Sequence, residues 1–336
     1  MGFFDRLFGP KADPIFEDKY ARMKECAKKV GSFIFWDASC VPRAKEYTDA
    51  YLEFERLAEE VGAEAFNKKF VKECEEMGGT YPRHPSFGVI LFDKKQDSLG
   101  KAREGLKSTY LHIQSFVARK EAFDKKYSGL QEYEITLSNE KVLRNLLLEM
   151  PEIKYANITK SFNKYKLNSF VVVDTETTGL KATSDRIVQL SAVRYVAWEP
   201  TEIFNCYINP KKPIPSEASK IHGITGEMVA DKPTIKQVAK SFMNFVGNSD
   251  VVGYNLPFDM GFLYAEGIDL ITAYKKRKYY DVLALARKVY KKDLDYFKLT
   301  DVALHQGVIY DAHNSLNDCF ATGEVFCNLV DDITGE

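Results

Sequence analysis

The sequence predicts an α/β domain with a mixed β-sheet, preceded by a mainly α-helical domain, and three observations carry that prediction. Apolar residues from Phe16 to about residue 127 recur at alternating steps of three and four, the stripe of amphipathic helices. The run Phe170-Val171-Val172-Val173 has no polar interruption and reads as a strand buried on both faces. Beyond it, strand-like and helix-like segments alternate to the end of the chain.

In the first 163 residues the helices follow one another. Phe16, Tyr20, Met23, Ala27, Val30 and Ile34 form one stripe, and Tyr47, Tyr51, Phe54, Ala58 and Val61 a second, with Gly62 as its stop. Residues 63–77 form a third helix ended by Gly78-Gly79, and a loop at 80–85 leads to an apolar run at 89–92. A long helix is expected over 98–127, with Leu99, Ala102, Leu106, Tyr110, Ile113, Val117 and Phe123 inward. Ser138 is placed to N-cap a last helix carrying Val142, Leu143, Leu146 and Leu147. The opening residues 1–8 form a short amphipathic piece rich in phenylalanine, read as a terminus that packs on its own domain. This region carries no recognised motif, and its expected role is docking or substrate binding.

The composition changes near Lys164, so a join is expected at 160–168, with domains at 1–163 and 168–332. Strands at 186–196 and 203–208 continue a meander from the valine-rich strand. A short helix at 216–222 is capped by Gly223; helices at 234–246 and 257–266 flank a strand at 250–254. Helices at 281–290, 299–306 and 316–330 complete the domain. A basic run at 274–280 with aromatic neighbours reads as a solvated face, with phosphate contact as the alternative.

Bulk properties narrow the function. A formal net charge of −1 over 336 residues argues against a protein that coats nucleic acid by charge alone. Six scattered cysteines without a Cys-x-x-Cys pair fit reduced thiols in a cytoplasmic protein. No stretch reaches the ~20 apolar residues of a membrane span, and the start lacks a secretory leader.

The chemistry concentrates at three acidic places. Asp174 and Glu176 end the valine-rich strand on the same side. Side by side they repel each other and are costly to desolvate, so either one is protonated, a cation sits between them, or both are solvated at a loop mouth. Asp259 follows Asn255 by four residues at the start of a helix, an arrangement that capping alone explains. Yet it falls at the C-terminal end of a strand, where α/β sheets place ligands. His313 and Asp318 lead into the last helix. Most of the other four histidines, His84, His112, His222 and His305, read as solvated.

Asp-x-Glu, then Asn-x-x-Phe-Asp, then His-x-x-x-x-Asp, in that order, resembles the three blocks of the DEDDh (DnaQ-like) 3′–5′ exonucleases. These include the proofreading exonucleases of bacterial replicative polymerases, RNase T and oligoribonuclease. Asp174-Thr175-Glu176-Thr177-Thr178-Gly179-Leu180 is similar to the first block almost letter for letter, Ile221-His222-Gly223-Ile224-Thr225 to the segment between the first and second, and Asp281-Val282-Leu283-Ala284-Leu285-Ala286-Arg287 to the helix before the third. The resemblance is nearest to the exonuclease region of the Gram-positive replicative polymerase and its stand-alone relatives, and covers about residues 168–330. Ser315 departs from it, standing where many members have alanine.

The resemblance implies an RNase H-like fold and a catalytic set of Asp174, Glu176, Asp259, His313 and Asp318. The four carboxylates would hold two divalent ions, Mg²⁺ or Mn²⁺, about 4 Å apart, clamping a scissile phosphate. Asp174 is shared, Glu176 and Asp318 serve one ion, and Asp259 serves the other, partly through water. His313 is the implied general base, since histidine exchanges protons near neutral pH. Thr177, Thr178, Gly179 and Leu180, with His222, Asn255 and Phe258, would contact the 3′-terminal nucleotide. The partner expected is nucleic acid, a single-stranded DNA 3′ end or alternatively RNA, with a protein partner for the N-terminal domain.

Overall fold

The structure is a computed structural model that describes residues 13–32, 38–76, 97–138 and 150–335. The expectations for 1–8, Ile34, 80–85 (with His84), 89–92 and 142–147 lie outside these residues. The chain divides into two compact units, 1–120 and 121–336.

In the first unit, Asp13 caps helix α1 (Pro14–Gly31), accepting the Ile15 N–H at 2.9 Å, with Pro14 in the first turn. Its buried residues are Tyr20, Met23, Ala27 and Val30, the stripe read from the sequence. Helix α2 (Ala44–Val61) ends at Gly62, whose φ of 76° is the left-handed value a side chain disfavours. Helix α3 (Ala63–Glu76) adds Phe66, Phe70 and Cys74 to one core with Phe54 and Leu57. Helix α4 (Ser98–Tyr127) carries the chain from this unit into the next. Phe116, rather than the expected Val117, is fully buried on it, beside Leu99, Ala102, Leu106 and Ile113.

The second unit begins at Glu121, ahead of the join expected at 160–168, because Tyr127, Ile158 and Leu167 belong to its core. A two-residue strand β1 (Gln131–Glu132) comes first, followed by β2 (Ser169–Thr177), β3 (Ile187–Val196) and β4 (Glu199–Tyr207). Ala197 and Trp198, which turn β3 into β4, both have positive φ, 50° and 70°. Such a turn favours Asn-Gly; here Trp198 is held by stacking on Phe326 and by donating to the Lys164 carbonyl at 3.1 Å.

Short helices α5 (Ser216–His222) and α6 (Gly226–Val229) precede α7 (Ile235–Val246), which Thr234 and Gln237 cap reciprocally. Strand β5 (Asp250–Gly253) leads into α8 (Leu256–Ala265), then α9 (Leu270–Ala273), β6 (Tyr279–Asp281), α10 (Val282–Val289), α11 (Leu299–His305) and α12 (Ser315–Thr334).

The sheet has six strands in the order β1-β4-β3-β2-β5-β6. β2, β3 and β4 form the expected antiparallel meander, while β5 and β6 run parallel to β2. Alternation along β2 splits its side chains: Phe170 and Val172 join the core under α10, α11 and α12, and Val171 and Val173 join the core under α7 and α8. This is the mixed sheet flanked by helices that the sequence predicts.

The basic run belongs to the fold. Tyr279 and Tyr280 are buried in β6, and Arg277 is buried while donating to the carbonyls of Ser249, Leu270 and Gly247. Val251 pairs with Tyr279 and Phe170 with Asp250, so the run lies at the end of the sheet where β2 begins, away from Asp174 and Glu176. Among the described residues no helix is long and apolar enough to cross a membrane, and Cys26, Cys74, Cys206, Cys319 and Cys327 are free thiols.

Candidate active site

The site forms where β2 ends. Asp174 pairs in register with Ser191 and Glu176 with Gln189, and the ladder slips between Glu176 and Thr177. Both acids share the parity of Phe170 and Val172, and so face α12. On that helix Asn314 is the N-cap, accepting from Leu316 and Asn317, and Asp318 falls in the first turn. The result is a cluster in which oxygens of Asp174, Glu176 and Asp318 lie within 4.8 Å of one another.

Asp259 arrives from the other side. Asn255 adopts a left-handed backbone, φ 58°, before α8, and its side chain does not cap that helix. The Leu256 N–H donates instead to Asp281 at 3.3 Å. Asp259, 2% exposed, accepts a hydrogen bond from the Thr175 hydroxyl at 2.7 Å. It stands outside the cluster of three, but its charge bears on it: after burial, Asp259 is the largest influence raising the Asp174 carboxyl.

Crowding of half-buried Asp174, Glu176 and Asp318 around buried Asp259 raises them all. Burial, then Asp318 and Asp259, push Glu176 up to about 8. Burial pushes Asp259 up to about 7, opposed by the Thr175 hydroxyl. Asp318 also rises to about 7 through burial, opposed by the buried Tyr310 hydroxyl beside it and by the His313 backbone N–H. Four oxygen donors that repel one another in a desolvated place suit a hard divalent cation.

The remaining expected residues divide. His313, in a left-handed conformation with φ 67°, is exposed at the mouth. His222 is partly buried there; burial lowers its pKa, with His313 adding in the same direction, and its Nδ1 accepts the Ile224 N–H at 3.0 Å. Leu180 is 84% exposed, and Asn255 is exposed as well. Phe258 is partly buried against Phe262. The hydroxyls of Thr177 and Thr178 are engaged within their own loop: Thr177 donates to the Gly179 carbonyl at 2.6 Å, and Thr178 accepts the Arg186 N–H at 3.0 Å. At Gly179 a Cβ would meet the Asp185 carboxylate at 2.6 Å, so only glycine lets that carboxylate close the loop onto the Lys181 N–H.

Several supporting residues escaped the sequence reading. Thr175 stood in view between two acids, with alternation pointing it away from them. Tyr310, Asp185 and Asp281 act across turns. Buried Ser191, Gln189 and Ser315 form a network with exposed Asn205: the Ser191 and Ser315 hydroxyls lie 2.6 Å apart, and Asn205 Oδ1 accepts from Ser191 and Gln189, each at 3.0 Å. These partners are far apart in sequence and leave no local signal.

Comparison with known proteins finds relatives of this chain. The exonuclease family model named for RNase T matches residues 171–326. The DNA polymerase III epsilon subunit of Buchnera aphidicola is 32% identical over 169 residues, 46% of this chain and 72% of that protein. A PolC-type DNA polymerase III of Clostridium perfringens is 36% identical over 159 residues, 47% of this chain. The chain spans about a tenth of that polymerase, since the match is 11% of its length. A solved structure of exonuclease X in complex with 5′-overhanging duplex DNA aligns with 50% of this chain and 93% of its own, at 22% identity and a TM-score of 0.41. With its acidic blocks in order on a mixed sheet, the chain belongs to the DnaQ-like family of exonucleases.

Proposed function

We propose that this chain is a metal-dependent 3′–5′ exonuclease that acts on DNA and releases nucleoside 5′-monophosphates from a free 3′ end. The observation that carries the proposal is the meeting of Asp174, Glu176 and Asp318, from a strand and a distant helix, with oxygens within 4.8 Å of one another. An all-oxygen donor set, half-buried at Asp174, Glu176 and Asp318 and buried at Asp259, fits Mg²⁺ or Mn²⁺. When bound, two such ions neutralise the carboxylates, offset charge on the scissile phosphate and ease the ionisation of water. Asp174, Glu176 and Asp318 would hold one ion, and Asp259, with Asp174, would serve the other.

The chain's own groups do the rest. His313 takes the proton of the attacking water on a ring nitrogen, and its exposed place on a turn gives it access to solvent for returning that proton. The 177–180 loop seats the terminal nucleotide, with Leu180 offering an apolar edge to a base. His222, Asn255 and Phe258 complete the seat. DNA is favoured over RNA because the curated relatives above are DNA polymerase III proteins.

The test is a 5′-labelled single-stranded DNA incubated with Mg²⁺ or Mn²⁺, with and without EDTA, beside Asp174→Ala and His313→Ala. Stepwise shortening from the 3′ end is expected, abolished by EDTA and by Asp174→Ala. His313→Ala should slow it by about 10²–10⁴-fold, the usual worth of a general base. Full activity under chelation would overturn the metal assignment, and shortening of a matched RNA alone would overturn the DNA assignment.

For the helical unit the proposal is partner docking. Lys19, Arg22, Lys24 and Arg103 are spent on Glu60, Glu53, Glu73 and Glu55, which weakens the case for a phosphate-binding face there.

A further inference from the structure

We infer that Thr175 is the positioning residue for Asp259, and that its hydroxyl, not its bulk, is why threonine stands between the two acids of β2. The inference rests on the functional reading above. Alternation sends Asp174 and Glu176 toward α12 and Thr175 toward α8. A valine would fill the same buried place at lower desolvation cost, as Val171 and Val173 do one turn of the pleat earlier.

Instead Thr175, 6% exposed, spends its hydroxyl on Asp259 Oδ1 at 2.7 Å. No strand pairing does this job: the β2–β5 ladder runs from Phe170–Asp250 to Val172–Val252 and stops there. Past that point the Thr175–Asp259 contact ties the start of α8 to the strand bearing the other two acids. With Oδ1 occupied by a donor, the carboxylate plane is fixed and Oδ2 is left to a cation. A buried hydroxyl beside a metal-ligating carboxylate orients it and tunes its basicity.

Two substitutions separate hydroxyl from bulk. Thr175→Val keeps the branched shape and removes the donor; Thr175→Ser keeps the donor and removes the methyl. The full-length wild type and both variants are titrated with MnCl₂ by isothermal calorimetry, and kcat and KM are measured on the labelled oligonucleotide. Thr175→Val is expected to weaken Mn²⁺ binding and lower kcat, each by about 10–100-fold, with KM for DNA little changed. Thr175→Ser is expected to stay within about threefold of wild type, well short of the 10–100-fold loss that follows removal of a supporting partner.

Mn²⁺ affinity in Thr175→Val equal to wild type would overturn the inference alone. So would a Thr175→Ser variant as weak as Thr175→Val, which would assign the position to methyl packing. Should Thr175→Val not fold, the serine variant still decides, because loss of Mn²⁺ binding there contradicts a role for the hydroxyl. Wild-type protein that binds no Mn²⁺ would overturn this inference and the functional reading together.

Discussion

Ser315 takes no part in the chemistry, yet it seats the segment that does. Its side chain is fully buried, its hydroxyl lies 2.6 Å from that of Ser191, and its N–H reaches Gln189 Oε1 at 3.4 Å. These contacts lock the first residue of α12, between His313 and Asp318. A net hydrogen bond of this kind contributes about 1 kcal/mol, so Ser315→Ala should lower unfolding stability by about that much. The measurement is the urea midpoint of the metal-free protein. An unchanged midpoint would mean that Asn205 alone satisfies Ser191 and that the serine pair contributes nothing. The serine was conspicuous in the sequence as a departure from the family pattern. Its partner lies 124 residues earlier, and no local pattern links the two.

Helix α12 carries Asp318 and must lie close on the sheet to bring it to Asp174. Gly323 permits that approach: a Cβ there would meet the Tyr195 hydroxyl oxygen at 2.0 Å. Tyr195 cannot yield, being stacked on Phe170 at 4.8 Å and hydrogen-bonded to Tyr127 at 2.9 Å. Gly323→Ala should therefore cost about 1–3 kcal/mol through overpacking and lower exonuclease activity by shifting the helix. Unchanged stability and activity would show that α12 does not pack so closely on β3. Such elements were legible where their signals are local. The Gly62 and Gly223 stops, the apolar stripes and the Asp174-x-Glu176 ending of a valine run each declare themselves within one segment. β1 was not legible, because a two-residue strand exists only through its parallel pairing of Gln131 with Glu202. β6 was read as a charge run because exposed lysines flank the buried Arg277 and precede the buried tyrosines.

Across the whole second unit, burial of acids ties stability to pH and to cations. Glu176 sits at about 8, and Asp259 and Asp318 at about 7, against roughly 4 for carboxyls in an unfolded chain. The folded protein therefore holds these protons more tightly than the unfolded chain does. Stability is greatest below about pH 4 as far as these groups are concerned, and it declines as pH rises through the window from about 4 to 8. A divalent cation favours the ionised carboxylates and binds only the folded site, so it restores stability by mass action. It should do so more strongly at the alkaline end, where no proton must be displaced. Glu266, raised to about 7 by burial despite Arg186, adds to the decline without belonging to the acidic cluster, and Glu266→Gln removes its share. The check is calorimetric melting in EDTA and in excess Mn²⁺ at pH 5.5 and pH 8. In EDTA the second unit's transition should fall between the two pH values, and Mn²⁺ should raise it more at pH 8 than at pH 5.5. A transition in EDTA that rises with pH, or a Mn²⁺ shift equal at both, would mean that the four carboxylates are not jointly strained in the folded protein.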